Sequence, residues 1–98
     1  MPAYVLCQIE VTDPIAYERY KAAGQAAVAA VGGRYVVRGG EPIALEGEHD
    51  GRRIVLLEFP DLETARRWYD SERYREAREI RKDAARFTML LLPGFSPP

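Results

Sequence analysis

The sequence lacks most of the features that identify a chemical activity at sight. It contains one cysteine, Cys7, and one histidine, His49. A single cysteine excludes an internal disulfide, and there is no Cys or His cluster with the spacing that a transition metal needs. The glycine pairs in VGGRY (31–35) and VRGGEP (37–42) match neither nucleotide-binding fingerprint, and no Ser-His-Asp set is present. The sequence therefore predicts no metal and no cofactor.

Long apolar runs and an excess of one charge are also missing. No apolar run approaches the roughly 20 residues that span a bilayer. The opening MPAYVLCQIEV has neither a basic region nor a long apolar segment. The formal net charge is -1, and acidic residues alternate with the arginines between Arg66 and Arg86, which disfavours binding to phosphate backbones. The sequence predicts a cytoplasmic protein with no membrane and no nucleic-acid partner.

What the chain does contain is enough apolar material for one core. Hydrophobic residues make up 47% of the 98 residues, and a chain of this length has room for one domain. Residues 1–98 are therefore predicted to form a single domain.

Strands are indicated by apolar residues that alternate with polar ones. Val5, Cys7, Ile9 and Val11 share one face of the first such run. The same signal, with β-branched and aromatic residues, predicts strands at 3–11, 34–38, 53–59 and 87–92. A bend or bulge is expected at 39–40, an extension of the second strand at 43–45, and a hairpin turn at 50–51. Cys7 is interpreted as a small buried hydrophobe on the helix-facing side of the sheet.

Helices are indicated by capping residues. Thr12 or Asp13 caps a helix that has Pro14 at its first position and ends near Val31, where Gly32 and Gly33 supply a left-handed cap. Asp61 caps a helix from Leu62 whose inner face carries Leu62, Ala65, Trp68 and Tyr69. Ser71 offers a second cap, for a helical segment over 72–86. The predicted inner side of that segment consists of Tyr74, Ala77, Ile80, Arg81, Ala84 and Ala85.

The order of elements is strand, helix, strand, strand, helix, strand. This α+β pattern is that of the ferredoxin-like βαββαβ fold, with a four-stranded antiparallel sheet in the order 4-1-3-2. Right-handed crossovers place the helices on one face. The other face is then left uncovered by this chain.

The uncovered face is predicted to be too apolar to remain in water. Its residues are predicted to be Tyr4, Leu6, Gln8, Glu10, Val36, Arg38, Ile54, Leu56, Glu58, Leu90 and Leu92. Two copies stacked through this face would form a symmetric homodimer. Glu10 and Arg38 are predicted at one end of the space between the sheets, where they either close an ion pair or line a ligand cavity. Glu10 and Glu58 are predicted at opposite ends of the sheet, which excludes a catalytic carboxylate pair within one subunit.

Three stretches of this sequence resemble the domain-of-unknown-function 1330 family. They are RYVVRGG (34–40) after a Gly-Gly helix end, LEFPDLETARRWYDSERY (57–74), and EIRKDAAR (79–86) with its inward arginine. The resemblance covers nearly the whole chain and implies a dimeric α/β barrel. That shape is related to small cofactor-independent monooxygenases, isomerases and dechlorinating enzymes. Family members often carry a histidine where this chain has Val31, so the resemblance also implies that a general acid or base is missing here.

Four residues are the candidates for ligand binding: Arg38, Trp68, Tyr74 and Arg81. An arginine on an inner helix face needs an acceptor, and for Arg81 this is either a protein carboxylate or the carboxylate or enolate of a ligand. Trp68 and Tyr69 fill the core or contact a ligand. Ser71 is interpreted as a cap rather than a nucleophile, and His49 as a solvated loop residue.

Two functional hypotheses follow. The first is a homodimer that binds a small organic molecule between sheet and helices, with or without cofactor-independent chemistry. The second is a non-catalytic structural or interaction module whose polar residues only specify the dimer. The absence of a histidine at Val31 favours the second, and the inward Arg81 favours the first.

Overall fold

A computed structural model describes residues 1–95 of the protein. Four strands form one antiparallel sheet in the order β2-β3-β1-β4. The predicted ferredoxin-like topology is therefore confirmed. The elements are β1 (Ala3–Val11), α1 (Pro14–Ala30), β2 (Arg34–Arg38), β3 (Arg53–Phe59), α2 (Leu62–Asp70), α3 (Glu72–Arg81) and β4 (Ala85–Pro93). Within residues 1–95, no helix is both long and apolar enough to cross a membrane.

The helix ends follow the capping residues that the sequence indicated. The Asp13 carboxylate accepts from the amides of Ile15 and Ala16 at the start of α1. The Asp61 carboxylate accepts from the Thr64 amide at 2.7 Å. These bonds satisfy first-turn amides that have no partner within the helix. At the other end of α1, Gly32 adopts the left-handed conformation with φ of 77°.

The core lies between the sheet and the helices. Ala3, Val5, Cys7 and Ile9 of β1 are buried on the helix-facing side, and Val11 is partly buried there. Phe59, Trp68 and Tyr74 are the largest fully buried side chains. The prediction that Cys7 is a buried hydrophobe on this face is confirmed.

A β-bulge in β2 overturns the predicted position of Arg38. Tyr35 lies opposite Leu57 and Val37 lies opposite Leu56, so Val36 is an extra residue in the ladder. The extra residue shifts the alternation by one, and Arg38 then lies opposite the buried Val55. Arg38 was predicted on the uncovered face beside Glu10, and that prediction is wrong: its side chain is on the helix-facing side.

The boundary between α3 and β4 also differs from the prediction. The last helix ends at Arg81 rather than Arg86, and β4 begins at Ala85 rather than Phe87. The Ala84 carbonyl accepts from the amides of Thr12 and Asp13, and Ala85 pairs with Val11. β1 is long, and its last residues need backbone partners, so the chain after α3 is drawn into the sheet.

The inner faces of α2 and α3 are narrower than predicted. Ala65, Trp68, Tyr74 and Ala77 are buried as expected. Leu62, Tyr69 and Ile80 are instead about 40% exposed (42%, 38% and 38%). Each of the two helices has only about three turns, so only the residues nearest the sheet or α1 are covered.

The connection between β2 and β3 contains no strand, so the predicted extension at Ile43–Leu45 is wrong. Ile43 and Leu45 are 86% and 93% exposed. Pro42 removes a backbone donor just before them, and the segment has no neighbouring strand to pair with in residues 1–95.

The other face of the sheet carries no helix among the described residues. One row of aliphatic side chains crosses it strand by strand: Val37, Leu56, Leu6 and Leu90. Polar groups near both ends of this face have partners within the same chain. They are the Arg34–Glu58 ion pair (2.6 Å), the Arg86–Glu10 ion pair (3.2 Å), and Arg52 donating to Gln8 and Thr88. Glu10 therefore pairs with Arg86 rather than with Arg38.

Candidate functional site

A cavity of about 30 Å³ lies on the helix-facing side of the sheet, below α1 and the start of α3. Three of the four predicted ligand residues line it: Arg38, Trp68 and Tyr74. The fourth, Arg81, lies beside its wall, with its guanidinium carbon 3.8 Å from the centre of the Phe87 ring. The structure thus brings the four predicted residues to one region, while their role in binding stays a prediction.

Ser71 fixes the positions of Trp68 and Tyr74. Its hydroxyl donates to the Trp68 carbonyl at 2.7 Å and accepts from the Tyr74 amide at 3.2 Å. It therefore ends α2 and caps α3 with one side chain, which holds the two aromatic rings with centroids 4.2 Å apart. The interpretation of Ser71 as a cap is confirmed.

Two phenols meet at the cavity wall. The hydroxyls of Tyr20 on α1 and Tyr74 on α3 are 2.8 Å apart. Burial raises the pKa of both groups above that of a free phenol, and for Tyr20 the neighbouring Tyr74 raises it further. Both phenols are therefore neutral at physiological pH. One of their two hydroxyl protons is used in the bond between them, and the other is left to donate.

Arg81 has no carboxylate partner within residues 1–95. Its guanidinium carbon is 5.7 Å from the centre of the Tyr20 ring, and its Nε is buried without a hydrogen-bond acceptor. Its positive charge acts to lower the pKa of Tyr74, against the larger effect of burial. The sequence left two acceptors open for Arg81, a protein carboxylate and the carboxylate or enolate of a ligand. Residues 1–95 do not provide the first of these.

Arg38 reaches the rim of the same cavity. Its Nη2 donates to the Gln25 side-chain oxygen at 2.6 Å, and its guanidinium carbon is 4.5 Å from the centre of the Tyr35 ring. The partner is a neutral amide, so the charge of Arg38 is not neutralised by this contact. The bulge in β2 is the reason that this arginine belongs to the cavity at all.

Arg53 is a cavity residue that sequence reasoning missed. It lines the cavity, its guanidinium carbon is 5.8 Å from the centre of the Tyr17 ring, and its Nε is buried without a partner. Gly39 leaves room for it, since a Cβ at Gly39 would lie 2.6 Å from Arg53 Nε. A signal was present in the sequence. Arg53 has the same parity in its strand as the apolar Val55 and Leu57, which face the core.

The cavity contains no group that accepts a proton at neutral pH. No Asp, Glu or His is among its lining residues. Burial raises the pKa of the Cys7 thiol to about 12, and burial likewise raises the pKa of the Tyr17 and Tyr35 phenols. Residues 1–95 also contain no group of three or more His, Cys, Asp or Glu side chains placed to bind a metal.

The other residues considered for chemistry lie outside this cavity. His49 is in the connection between β2 and β3, where its Nε2 is 2.9 Å from the Arg52 carbonyl oxygen. Its side chain is 25% exposed, so it is less solvated than predicted. Val31, at the position where the family resemblance implied a histidine, forms the C-cap of α1.

A second, more open groove of about 320 Å³ lies between α2 and β4. Its walls are mainly apolar side chains, among them Ala65, Tyr69, Met89 and Leu91. Trp68 is the one predicted ligand residue that also borders this groove. The groove is larger than the cavity and is also lined by Arg66 and Asp70. Arg38, Arg53 and the phenol pair are at the cavity.

The fold has close structural relatives. RPA0582 from Rhodopseudomonas palustris, a protein of unknown function, is similar with a TM-score of 0.68 at 20% identity, over 98% of this chain and 84% of that chain. SnoaB, a cofactor-independent oxygenase from Streptomyces nogalater, is similar with a TM-score of 0.70 at 14% identity, over 98% and 95%. A dimeric ferredoxin-like protein of unknown function from Thermobifida fusca is similar with a TM-score of 0.65 at 15% identity, over 96% of this chain and 92% of that chain. At these identities the similarity shows the fold alone.

Sequence comparison supplies the family. Curated protein sequences give no significant match. Residues 2–95 match the profile of DUF1330, a domain of unknown function, and the chain therefore belongs to the DUF1330 family.

Proposed function

We propose that this protein is a homodimer that binds a small organic molecule in the cavity between its sheet and helices. The observation that carries the binding proposal is a set of buried polar atoms without partners around one cavity. Arg53 Nε and Trp68 Nε1 belong to cavity-lining residues, and Arg81, whose Nε is also unpartnered, stacks on Phe87 of the cavity wall. A fourth such atom, Arg78 Nε, belongs to a residue that does not line the cavity. Buried polar groups are nearly always hydrogen-bonded, so the two unpartnered atoms of lining residues, with Arg81 beside them, support a bound acceptor.

The homodimer is supported by the apolar row on the open sheet face. Leu90 and Val37 of this row are 49% and 40% exposed in the single chain. Burial of apolar surface contributes about 25 cal/mol for each Å², and a two-fold partner would cover the same patch on both copies. The polar groups near the ends of the face are already paired within the chain, so their burial in a dimer leaves no charge unpaired.

The cavity supports binding better than acid-base catalysis. Its phenols are neutral, its thiol is protonated, and its other polar side chains are cationic. Such a set donates hydrogen bonds and stabilises negative charge, but it removes no proton from a substrate. The similarity in fold to SnoaB does not change this, because function depends on the residues of the site.

A thermal-shift screen with a library of small organic compounds tests the binding proposal. Trp68 is the sole tryptophan of the chain, so its fluorescence gives a second readout at the cavity. Compounds that bind are expected to raise the melting temperature and to change the Trp68 emission.

Two variants make this screen specific. Arg81→Met removes a cation beside the cavity, whereas Arg73→Met makes the same charge change at an exposed position of the same helix. Compounds that bind as proposed lose their effect in Arg81→Met and retain it in Arg73→Met. If no compound shifts the wild-type protein, and Arg81→Met is more stable than the wild type, the function is that of the non-binding dimeric module.

A further inference from the structure

The charged residues that line the cavity all have the same sign. Lys21, Arg38 and Arg53 line it, and Arg81 stacks on Phe87, which is part of its wall. No aspartate or glutamate is among the lining residues. The whole chain has a formal charge of -1, so this concentration of positive charge is a local property of the cavity.

Three of these four cations, Arg38, Arg53 and Arg81, have no anionic partner in residues 1–95. The exception is Lys21, which pairs with Glu18 at 3.0 Å. Arg38 donates to the neutral Gln25 amide, and the ion pairs of residues 1–95 include neither Arg53 nor Arg81. For Arg53 and Arg81, which are partly buried, the lack of a counter-ion is unfavourable, because burial removes water that would otherwise stabilise their charge.

The backbone places two of the arginines side by side. Arg38 lies directly opposite Val55, and Arg53 is two residues earlier on the same strand and the same face. Diagonal neighbours of this kind have side chains that start about 7–8 Å apart. Like charges on two such neighbouring side chains repel each other, and a shared anion between them converts the repulsion into attraction.

We infer that the ligand of this cavity is a small organic carboxylate, whose negative charge is bound between Arg53 and Arg38 with further stabilisation from Arg81. The inference rests on the proposed binding function and adds the class of ligand. A planar carboxylate accepts two parallel hydrogen bonds from one guanidinium and has lone pairs left for a second. The Tyr20 and Tyr74 hydroxyls are neutral and provide a further donor in the same wall.

The size of the cavity limits how such a ligand is held. A volume of about 30 Å³ is about that of two water molecules by this measure, so it admits the carboxylate group of a ligand and little more. The rest of the molecule extends toward the rim, where the Arg38 side chain is exposed and Lys21 is half-buried. The aromatic rings of Tyr35 and Phe87 also line the cavity, which favours a carboxylate with a flat apolar body.

Binding of matched acid and amide pairs tests the inference. Benzoate with benzamide, and phenylacetate with phenylacetamide, have nearly the same shape and differ in charge. Affinity is measured by Trp68 fluorescence and by calorimetry at low and high salt. The acids are expected to bind at least about tenfold more tightly than the amides. Charge-assisted hydrogen bonds are stronger than neutral ones, and the difference in their free energies corresponds to about this ratio of affinities. High salt is expected to weaken the binding of the acids and to leave the binding of the amides unchanged.

Variants locate the effect. Arg53→Met and Arg38→Met are each expected to weaken acid binding about tenfold and to weaken amide binding by a smaller factor, because a neutral carbonyl gains less from a guanidinium than a carboxylate does. Arg19→Met, an exposed arginine of α1, makes the same change in net charge and is expected to have no effect. Arg38 is exposed, so Arg38→Met keeps the test valid if Arg53→Met fails to fold.

The outcomes separate this inference from the proposed function. Equal affinities for acid and amide, or acid binding that survives both arginine variants, would overturn the assignment of a carboxylate while binding itself stands. If neutral compounds bind and no carboxylate does, the inference is also wrong. If no compound of either charge binds, both the inference and the proposed function fail.

Discussion

The hydroxyls of Tyr20 and Tyr74 connect α1 to α3 in the interior by a hydrogen bond of 2.8 Å. Tyr74 is 1% exposed, and the Tyr20 ring packs edge-on against Phe87 with centroids 5.4 Å apart. At the scale of the residue, each hydroxyl is the hydrogen-bond partner of the other, so the loss of one leaves the other unsatisfied in the cavity wall.

We expect Tyr20→Phe and Tyr74→Phe each to lower the free energy of unfolding by about 1–2 kcal/mol, because each leaves the other hydroxyl without its partner. The double variant should lower the free energy of unfolding by less than the sum of the two single effects, since it leaves no unpaired hydroxyl. Urea denaturation measures all three, with the more exposed Tyr69→Phe as control. Strict additivity would show that the two hydroxyls do not interact.

The buried thiol of Cys7 predicts a loss of stability in alkali. Burial raises its pKa to about 12, and the charge of Arg81 opposes this only in part. The unfolded chain ionises at its ordinary pKa, about 8.5. The stabilising contribution of the neutral thiol is therefore complete below pH of about 8.5 and is lost as pH rises toward 12.

Comparison with Cys7→Ala isolates this effect, because both proteins share all other titrating groups. The free energy of unfolding of the wild type should fall more steeply than that of Cys7→Ala between pH of about 8.5 and 11. Parallel curves from urea denaturation would show that the thiol does not titrate differently in the folded and unfolded states.

At the scale of the element, the junction of α1 with β2 is fixed by close contact. Gly32 ends the helix with a positive φ, as the sequence predicted. The neighbouring Gly33 has a different requirement: a Cβ there would lie 2.7 Å from Phe59 Cε1 and 3.0 Å from Val28 Cγ1. The glycine pair is visible in the sequence, but the contact with Phe59 of β3 depends on the folded arrangement of three elements.

Gly33→Ala should lower the free energy of unfolding by about 1–3 kcal/mol, because the added methyl overpacks a core contact. Gly40→Ala is the matched control, since nothing lies within 4 Å of its Cβ position and its φ is not in the left-handed region. It should change stability by less than about 0.5 kcal/mol. Equal effects of the two substitutions would contradict the packing argument.

The bounds of an element could be predicted where they depend on neighbouring residues in the sequence, and not where they depend on distant ones. The bounds of β2 and β3 follow from local runs of β-branched and aromatic residues, and they agree with the structure. The end of α3 did not follow from local pattern, because residues 82–86 have adequate helical propensity. Pairing of Ala85 with Val11 of β1 overrides that propensity.

At the scale of the whole molecule, the proposed dimer depends on the aliphatic row across the open sheet face. Leu56 is at its centre, directly opposite both Leu6 and Val37. A charge at this position would have to be buried between two sheets, next to its own symmetry mate.

Leu56→Glu is therefore expected to convert the dimer to a folded monomer, which sedimentation equilibrium at micromolar concentration measures directly. Circular dichroism should show an unchanged fold, because the substituted face of the monomer is open to water. Ile15→Glu, on α1 and 81% exposed, is the control and should remain dimeric. A wild-type protein that sediments as a folded monomer would end the dimer proposal.

The sequence alone determined the four strands, the three helix starts at Thr12 or Asp13, at Asp61 and at Ser71, and the apolar character of both sheet faces. These depend on periodicity and cap chemistry, which act over a few residues. Only the tertiary structure decided which charges meet. The extra residue Val36 turned Arg38 toward the helices, where it joins Arg53 at one cavity. A one-residue shift in a ladder reverses every side chain after it, and cross-strand pairing fixes where that shift occurs.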